Sequence, residues 1–392
     1  MPSPTPREPA VSRRAREIPS FIAMDVLEAA QAMERRGEHI VHLEVGEPDF
    51  DTPEPVRRAA AEALEAGETH YTHSLGIHEL RAEIAAHYRA RYGVDVDPER
   101  VIVTSGSSPA IFLTFAALLD PGDRVVLTNP HYASYPTFIG FCDGEPVYVP
   151  VHEEAAFQFV PDDLAAHLGR RTKAVLVNSP SNPTGTLIDR DRLEEVVRRA
   201  EAAGAYVVSD EIYHGLVYEG REHSVLEFTD RAFVINGFSK LYAMTGWRLG
   251  YVIAPPEFVR PIQKVQQNFF ISANAFVQRA GIAALSSTGE QVRDMVRTYD
   301  RRRRYMIERF EGMGFRFRSY PTGAFYVFVN VGHLTDDCYR LAFDILEKAR
   351  VGCTPGVDFG SGGEGYLRFT YANSLENIRE GLDRLEAYLA AR

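Results

Sequence analysis

The feature that most constrains this chain is a rhythm repeated through its middle: a short apolar run, a polar loop, then a helical stretch. The strand-like runs are Val101–Ser105, Arg124–Thr128, Pro146–Val151, Ala174–Val177, Tyr206–Ser209, Ala232–Ile235 and Leu249–Ile253. Helical stretches separate several of them, such as Arg190–Ala203 after the Asn182-Pro183-Thr184-Gly185 turn. Alternation of this kind predicts a mostly parallel, seven-stranded α/β sheet covered by helices on both faces. In such sheets ligands sit outside the carboxyl ends of the strands.

After about residue 285 the pattern changes. A long charged helix through Arg301–Arg304 precedes runs at Ala324–Val329 and Gly365–Phe369, and a helix closes the chain. The expectation is a large domain over 48–285 and a smaller α+β domain over 286–392, completed by residues 20–47. Within that N-terminal piece, Ile22, Val26, Ala29, Ala30 and Met33 share one helical face and Gly37 stops the helix. Residues 1–19 are rich in Pro and Arg without apolar periodicity, and read as a mobile arm rather than a targeting peptide.

Composition excludes several classes of function. A length of 392 residues allows one large or two ordinary domains. With 54 acidic against 43 basic residues the formal charge is -11, which opposes binding to nucleic-acid backbones. Only three cysteines occur (Cys142, Cys338, Cys353), without a CxxC pair, as in a reduced cytoplasmic protein lacking a structural disulfide or zinc site. The apolar stretch Pro109–Leu119 falls well short of the roughly 20 residues a membrane span needs, so no membrane partner is expected.

Three strings imitate functional motifs. Gly360–Gly365 matches GxGxxG, but a strand-like run follows it where a dinucleotide site needs a helix. His70, His73 and His78 suggest a metal, yet Ala82 stands where an HExxH string needs its second histidine, so no metal is proposed. The four arginines Arg301–Arg304 read as a solvated helix face.

The chemistry concentrates at strand ends. Lys240 follows a predicted strand in small and apolar surroundings, with Arg248 eight residues on. Partial desolvation beside a fixed cation lowers a lysine's pKa and suits it to Schiff-base formation. Asp210 ends another strand, with Tyr213 three residues later, and Asn182 lies in the loop after Ala174–Val177. An acid so placed can pair with a protonated pyridine nitrogen, and a phenol and an amide can bond a ring hydroxyl. Thr104-Ser105-Gly106-Ser107-Ser108 passes from strand to helix and offers N–H groups and hydroxyls to an anion. A turn acid, a packed tyrosine, an Asn-Pro turn and an ordinary N-cap are the bland alternatives. All four groups fall on the same edge of one sheet.

GFSKLYAMTGWRLGY, with SPSNPTG, SDEIY, TSGSS and YLRFTYA, resembles the class I/II aminotransferases of the aspartate-aminotransferase fold, which use pyridoxal 5'-phosphate. The resemblance runs from about Ile18 to the C-terminus in the family's order, and implies the pyridoxal-phosphate-dependent fold type I. It further implies that Lys240 holds the cofactor as a Schiff base and moves the proton at substrate Cα, while Asp210 keeps the pyridine nitrogen protonated. Tyr213 and Asn182 would bond the ring oxygen, Tyr132 would stack on the ring, and Ser107, Ser108 and Arg248 would hold the phosphate. Tyr71 resembles the tyrosine that reaches the phosphate of a neighbouring subunit, implying a homodimer with shared sites. Arg368 would bind the substrate carboxylate through its planar fork, with the Gly46 backbone close by.

Two departures matter, the first for phosphate binding and the second for specificity. Gly237 stands where many members carry a phosphate-binding serine, and Ser108 where some aspartate-specific members carry a lysine. Phe21, Phe325 and Tyr326 are candidates for an apolar or aromatic substrate pocket. The expected activity is transfer of an amino group between an L-amino acid, neutral or aromatic by preference, and a 2-oxo acid in a ping-pong cycle. Rivals on the same scaffold are a carbon–sulfur β-lyase and an aminocyclopropane-carboxylate synthase-like enzyme. A cofactor-sensing transcription regulator is disfavoured by the acidic charge and the short segment ahead of the resemblance.

Overall fold

The computed structural model of the protein describes residues 11–392. Seven strands form the main sheet: β1 (Val101–Thr104), β2 (Arg124–Asn129), β3 (Glu145–Pro150), β4 (Thr172–Asn178), β5 (Tyr206–Asp210), β6 (Ala232–Gly237) and β7 (Gly250–Ile253). Their spatial order is β1-β7-β6-β5-β4-β2-β3. All neighbours pair in parallel except β7, which runs antiparallel to both β6 and β1. The central strands are Val- and Ile-rich because both of their faces are buried. Val103, Val175, Val207 and Val234 belong to one apolar core, and Ile102, Leu176, Val208 and Ile235 to a second across the sheet.

That topology decides where the loops meet. The carboxyl ends of β1, β2, β4, β5 and β6 share one edge, and because β7 is reversed, its amino end lies there too. The segment Lys240–Leu249 therefore leaves β6 and returns to β7 on the same edge, and Thr104 and Gly237 both pair with Gly250. Gly250 permits this closeness: a Cβ there would lie 2.6 Å from the Ser107 amide nitrogen. A Cβ at Gly237 would stand only 3.0 Å from the Gly250 Cα, so strand packing opposes a serine at this position.

Beyond the sheet, Gly289–Gly312 is one long helix, and strands β8 (Tyr326–Asn330), β9 (Thr354–Pro355) and β10 (Tyr366–Thr370) form a small antiparallel sheet. Helix Ile22–Glu34 packs Val26, Ala30 and Met33 against Ile40 and Leu346. Val41–His42 pairs with Val351–Gly352, tying the N-terminal piece to the C-terminal one.

One expectation needs revision. Arg302 and Arg303 do not belong to a solvated face; Arg303 is only 2% exposed. Its guanidinium donates to Asp300 of the same helix, to Glu219 and to the Pro321 carbonyl, and Arg302 donates to Asp49, so protein acceptors, among them Glu219 and Asp49 from outside the helix, replace water. Only Arg301 and Arg304 are exposed. Of the arm expected over 1–19, residues 1–10 lie outside the described residues. Arg13–Glu17 forms a short helix capped by Ser12, and Arg14 pairs with Asp143 at 2.7 Å.

Candidate active site

The sheet edge and the small sheet together enclose a cavity of about 170 Å³, lined among others by Gly46, Ser107, Ser108, Tyr132, Asn182, Asp210, Tyr213, Lys240 and Arg368. All nine are candidate site residues of the sequence.

Lys240 lies three residues beyond β6 and donates from Nζ to the Gly46 carbonyl at 2.7 Å. Burial pushes its pKa down to about 8; Arg368 and Arg248 push the same way, against the opposing pull of Glu47 and Asp210. The predicted influence of Arg248 is thus present, but burial dominates. Gly46 is required here for a local reason: a Cβ would fall 1.9 Å from the Tyr326 hydroxyl.

Asp210 closes β5 and is buried. Its carboxylate accepts from the Tyr135 hydroxyl at 2.7 Å and from the Ile212 amide at 3.2 Å. Burial raises its pKa to about 6, opposed by those two bonds and by Lys240. It therefore carries a charge above about pH 6, facing the cavity. Its neighbour across the β4–β5 pairing is Asn178, which donates to the Asp210 carbonyl at 3.0 Å and accepts from the Asn182 amide at 2.9 Å. This clamp fixes the Asn182 loop against the Asp210 strand.

Arg368, central in β10, is 2% exposed. Its Nη1 donates to Asn182 Oδ1 at 2.8 Å, and Nη2 to the Glu44 carbonyl and to Thr354 Oγ1. Aromatic rings flank it, with Tyr326 at 4.5 Å and Phe359 at 4.8 Å from the guanidinium carbon. Its Nε is buried without an acceptor among the described residues, an open donor for a carboxylate. The Tyr213 hydroxyl bonds that of Tyr326 at 2.8 Å.

The candidate anion site lies where β1 meets helix Ser107–Leu118. Gly106 precedes the helix at φ 104°, a conformation that favours glycine, and Thr104 Oγ1 donates to its carbonyl at 2.8 Å. Arg248 lies directly over this turn: a Cβ on Gly106 would sit 2.5 Å from its guanidinium. Tyr132 stands edge-on to Phe21 at 6.1 Å and to Tyr135 at 5.2 Å. Tyr71 does not join the cavity and is 80% exposed.

The match with known proteins covers nearly the whole chain. Residues 38–385 fit the family model described as aminotransferase class I and II. The chain is 43% identical over 97% of its length to a (5-formylfuran-3-yl)methyl phosphate transaminase of Methanocaldococcus jannaschii, covering 99% of that protein. A Methanococcus jannaschii crystal structure, described as similar in its active site to kynurenine aminotransferases, superposes with a TM-score of 0.90 at 42% identity, over 97% of this chain and 100% of the other. Aspartate aminotransferase from Thermus thermophilus with maleate gives 0.92 at 38% identity, with the same coverage. The chain belongs to the class I and II aminotransferases.

Members of this family depend on pyridoxal phosphate, and the site suits that cofactor. The helix start at Ser107 and Ser108, the buried Asp210 carboxylate and a lysine of lowered pKa line one cavity, and the absence of a side chain on Gly106 lets the Arg248 guanidinium pack against that helix start. Tyr135 and Asn178 were missed in the sequence. Tyr135 lies only three residues after Tyr132 in HYASYP, the one signal that pointed to it. Asn178 ends a strand that pairs with Asp210, a relation that only topology reveals.

Proposed function

We propose that this aminotransferase moves the amino group of a neutral or aromatic L-amino acid to a 2-oxo acid in two half-reactions, with the cofactor attached through Lys240. The observation that carries this reading is the make-up of the cavity. Arg368 and Lys240 are its only cationic lining residues among the described ones, and Phe21, Ala23, Met24 and Ile111 supply an apolar wall. Arg368 holds the α-carboxylate, which leaves the substrate side chain to the apolar wall. Ser108, in place of a lysine, adds no charge for a second carboxylate.

When bound, the cofactor supplies an aldehyde to take up the amino group and a ring to accept electrons from substrate Cα. The protein's part follows from its own residues. Lys240, with a pKa of about 8, is partly neutral near neutral pH and takes the Cα proton. The Asp210 carboxylate, held in place by Tyr135, would keep a proton on the ring nitrogen. Asn182 and Tyr213 would bond the ring oxygen. Arg248, Ser107 and Ser108 would bind the phosphate at the helix start. Tyr132 would stack on the ring.

A homodimer is part of the same proposal. Tyr71 (80%), Phe269 (67%) and Ile271 (45%) are exposed, and Phe269 and Phe270 gather with Phe112 and Phe141. A second copy of the chain would cover this apolar surface. The division into 48–285 and 20–47 with 286–392 is supported by the packing of helix Ile22–Glu34 on Leu346.

The experiment is a single-turnover absorbance scan of the purified holoenzyme against a panel of amino acids. Conversion of the aldehyde form by neutral or aromatic donors, reversed by a 2-oxo acid, supports the reading. Fast conversion by aspartate alone would overturn the substrate preference. Ammonia and pyruvate released with no acceptor present would make the enzyme a lyase.

A further inference from the structure

The glycine-rich string Gly360–Gly365 binds no nucleotide in the reading above, and its glycines have another physical basis. The loop is pressed backbone to backbone against the end of β2. A Cβ on Gly360 would lie 2.6 Å from Asn129 Oδ1, and one on Gly362 would lie 2.6 Å from the Asn129 carbonyl oxygen. Within the loop's own base, a Cβ on Gly363 would come within 1.9 Å of the Gly356 oxygen. Asn129 donates to Ser361 Oγ and accepts from the Gly362 amide, each at 2.8 Å. His131 bonds the Phe359 carbonyl through its backbone N–H at 3.0 Å.

Such tight seating fixes Asp358, which the loop carries next to Phe359. Helix Ile22–Glu34 has Phe21 at its N-cap and so lacks a side-chain cap of its own. Asp358 supplies the cap from 336 residues away in sequence: Oδ1 accepts from the Ile22 amide at 2.8 Å and Oδ2 from the Ala23 amide at 3.2 Å. A carboxylate is the favoured group at the positive end of a helix. The capped turn is also the cavity's apolar wall, since Phe21, Ala23 and Met24 line it. On the other side, Phe359 supports the guanidinium of Arg368. One short loop thus sets the spacing between the carboxylate fork and the side-chain wall.

We propose that Asp358 is a specificity-positioning residue. By capping Ile22 and Ala23 it holds Phe21 and Met24 at the distance from Arg368 that admits a large substrate side chain. The proposal rests on the functional reading above in placing the substrate side chain against that wall. It touches neither the cofactor nor the reacting atoms, so its loss acts on donor choice and leaves cofactor binding intact.

The test compares wild type, Asp358→Ala and Asp358→Asn as holoenzymes, with kcat/KM measured for alanine and for the large donor that wild type uses best. Asp358→Ala is expected to lower the ratio of large donor to alanine about tenfold, the worth of roughly one lost helix cap. The change should lie in KM for the large donor, with pyridoxal phosphate affinity unchanged. Asp358→Asn keeps one acceptor and should recover part of the ratio. Hydrogen exchange gives a readout independent of turnover: the amides of Ile22 and Ala23 should exchange about tenfold faster in Asp358→Ala. Equal losses for both donors, or an unchanged ratio, would overturn the proposal, as would unchanged exchange. A wild-type preference for an acidic donor would instead defeat the proposed substrate class, while the ratio measured with that donor would still report on Asp358.

Discussion

Replacing Lys240 by methionine in the cofactor-free protein should stabilise it at neutral pH. The side chain's pKa falls from 10.5 to about 8 on folding, chiefly through burial. At about 1.4 kcal/mol per tenfold change in acidity, holding the ammonium inside costs roughly 3 kcal/mol. Methionine has a comparable unbranched stem and no charge, but leaves the Gly46 carbonyl without its donor, a loss of about 1 kcal/mol. The net expectation at pH 7 is a gain of about 2 kcal/mol.

The sign of the pH dependence follows. A depressed lysine pKa costs stability in full below about pH 8, and the cost fades as the pH climbs towards 10.5. The advantage of Lys240→Met should therefore shrink by about 2 kcal/mol between pH 7 and pH 9.5. Urea midpoints of the two cofactor-free proteins, measured side by side at both pH values, provide the assay. A methionine variant less stable than wild type at pH 7, or a difference that ignores pH, would refute the reasoning. It would mean that Lys240 is better solvated or better paired than its surroundings indicate.

Other expectations concern separate parts of the molecule. Gly106→Ala places a Cβ at φ 104° and 2.5 Å from Arg248, so pyridoxal phosphate affinity should fall at least about tenfold in a spectroscopic titration. Arg368→Lys loses the planar fork and should lower kcat/KM by about a hundredfold or more, with the cofactor's absorbance unchanged. The hydrogen bond to Glu44 raises the His42 pKa from 6.5 to about 9 against the effect of burial, with Glu34 adding to the rise. That contribution is present in full below pH 6.5 and is lost as the pH rises through 9, so a urea-midpoint difference between wild type and His42→Gln should vanish across that window. Its size is no more than about 3 kcal/mol, since His42 is partly exposed.

The sheet was legible because its strands are short, β-branched and separated by helical stretches, so Val101, Arg124, Tyr206 and Ala232 begin strands as the pattern predicts. Strand direction was not legible. Apolar runs carry no sign, and the reversal of β7, which brings Arg248 to the shared edge, comes from pairing alone. Candidate residues on distinctive strings, such as Lys240 and Arg368, stand out locally and line one cavity. Residues acting through others do not. Asn178 and Asp358 have their partners in the Asn182 loop and in a helix start 336 residues away, and nothing local marks them. Charge runs misled for the same reason: Arg303 is buried because Glu219 and Asp300 meet it, and only the fold brings Glu219 there.

The central claim is that Lys240 carries the cofactor and releases it to the amino donor. Borohydride reduction of the holoenzyme, followed by peptide mass mapping, tests it most directly. The chain's other lysines are Lys173, Lys264 and Lys348, so the sites are easily told apart. The account predicts the cofactor's mass on the Lys240 peptide alone, and its disappearance when an effective amino donor is added before the reductant. Label on another lysine, or label on Lys240 that every amino donor leaves in place, would contradict it.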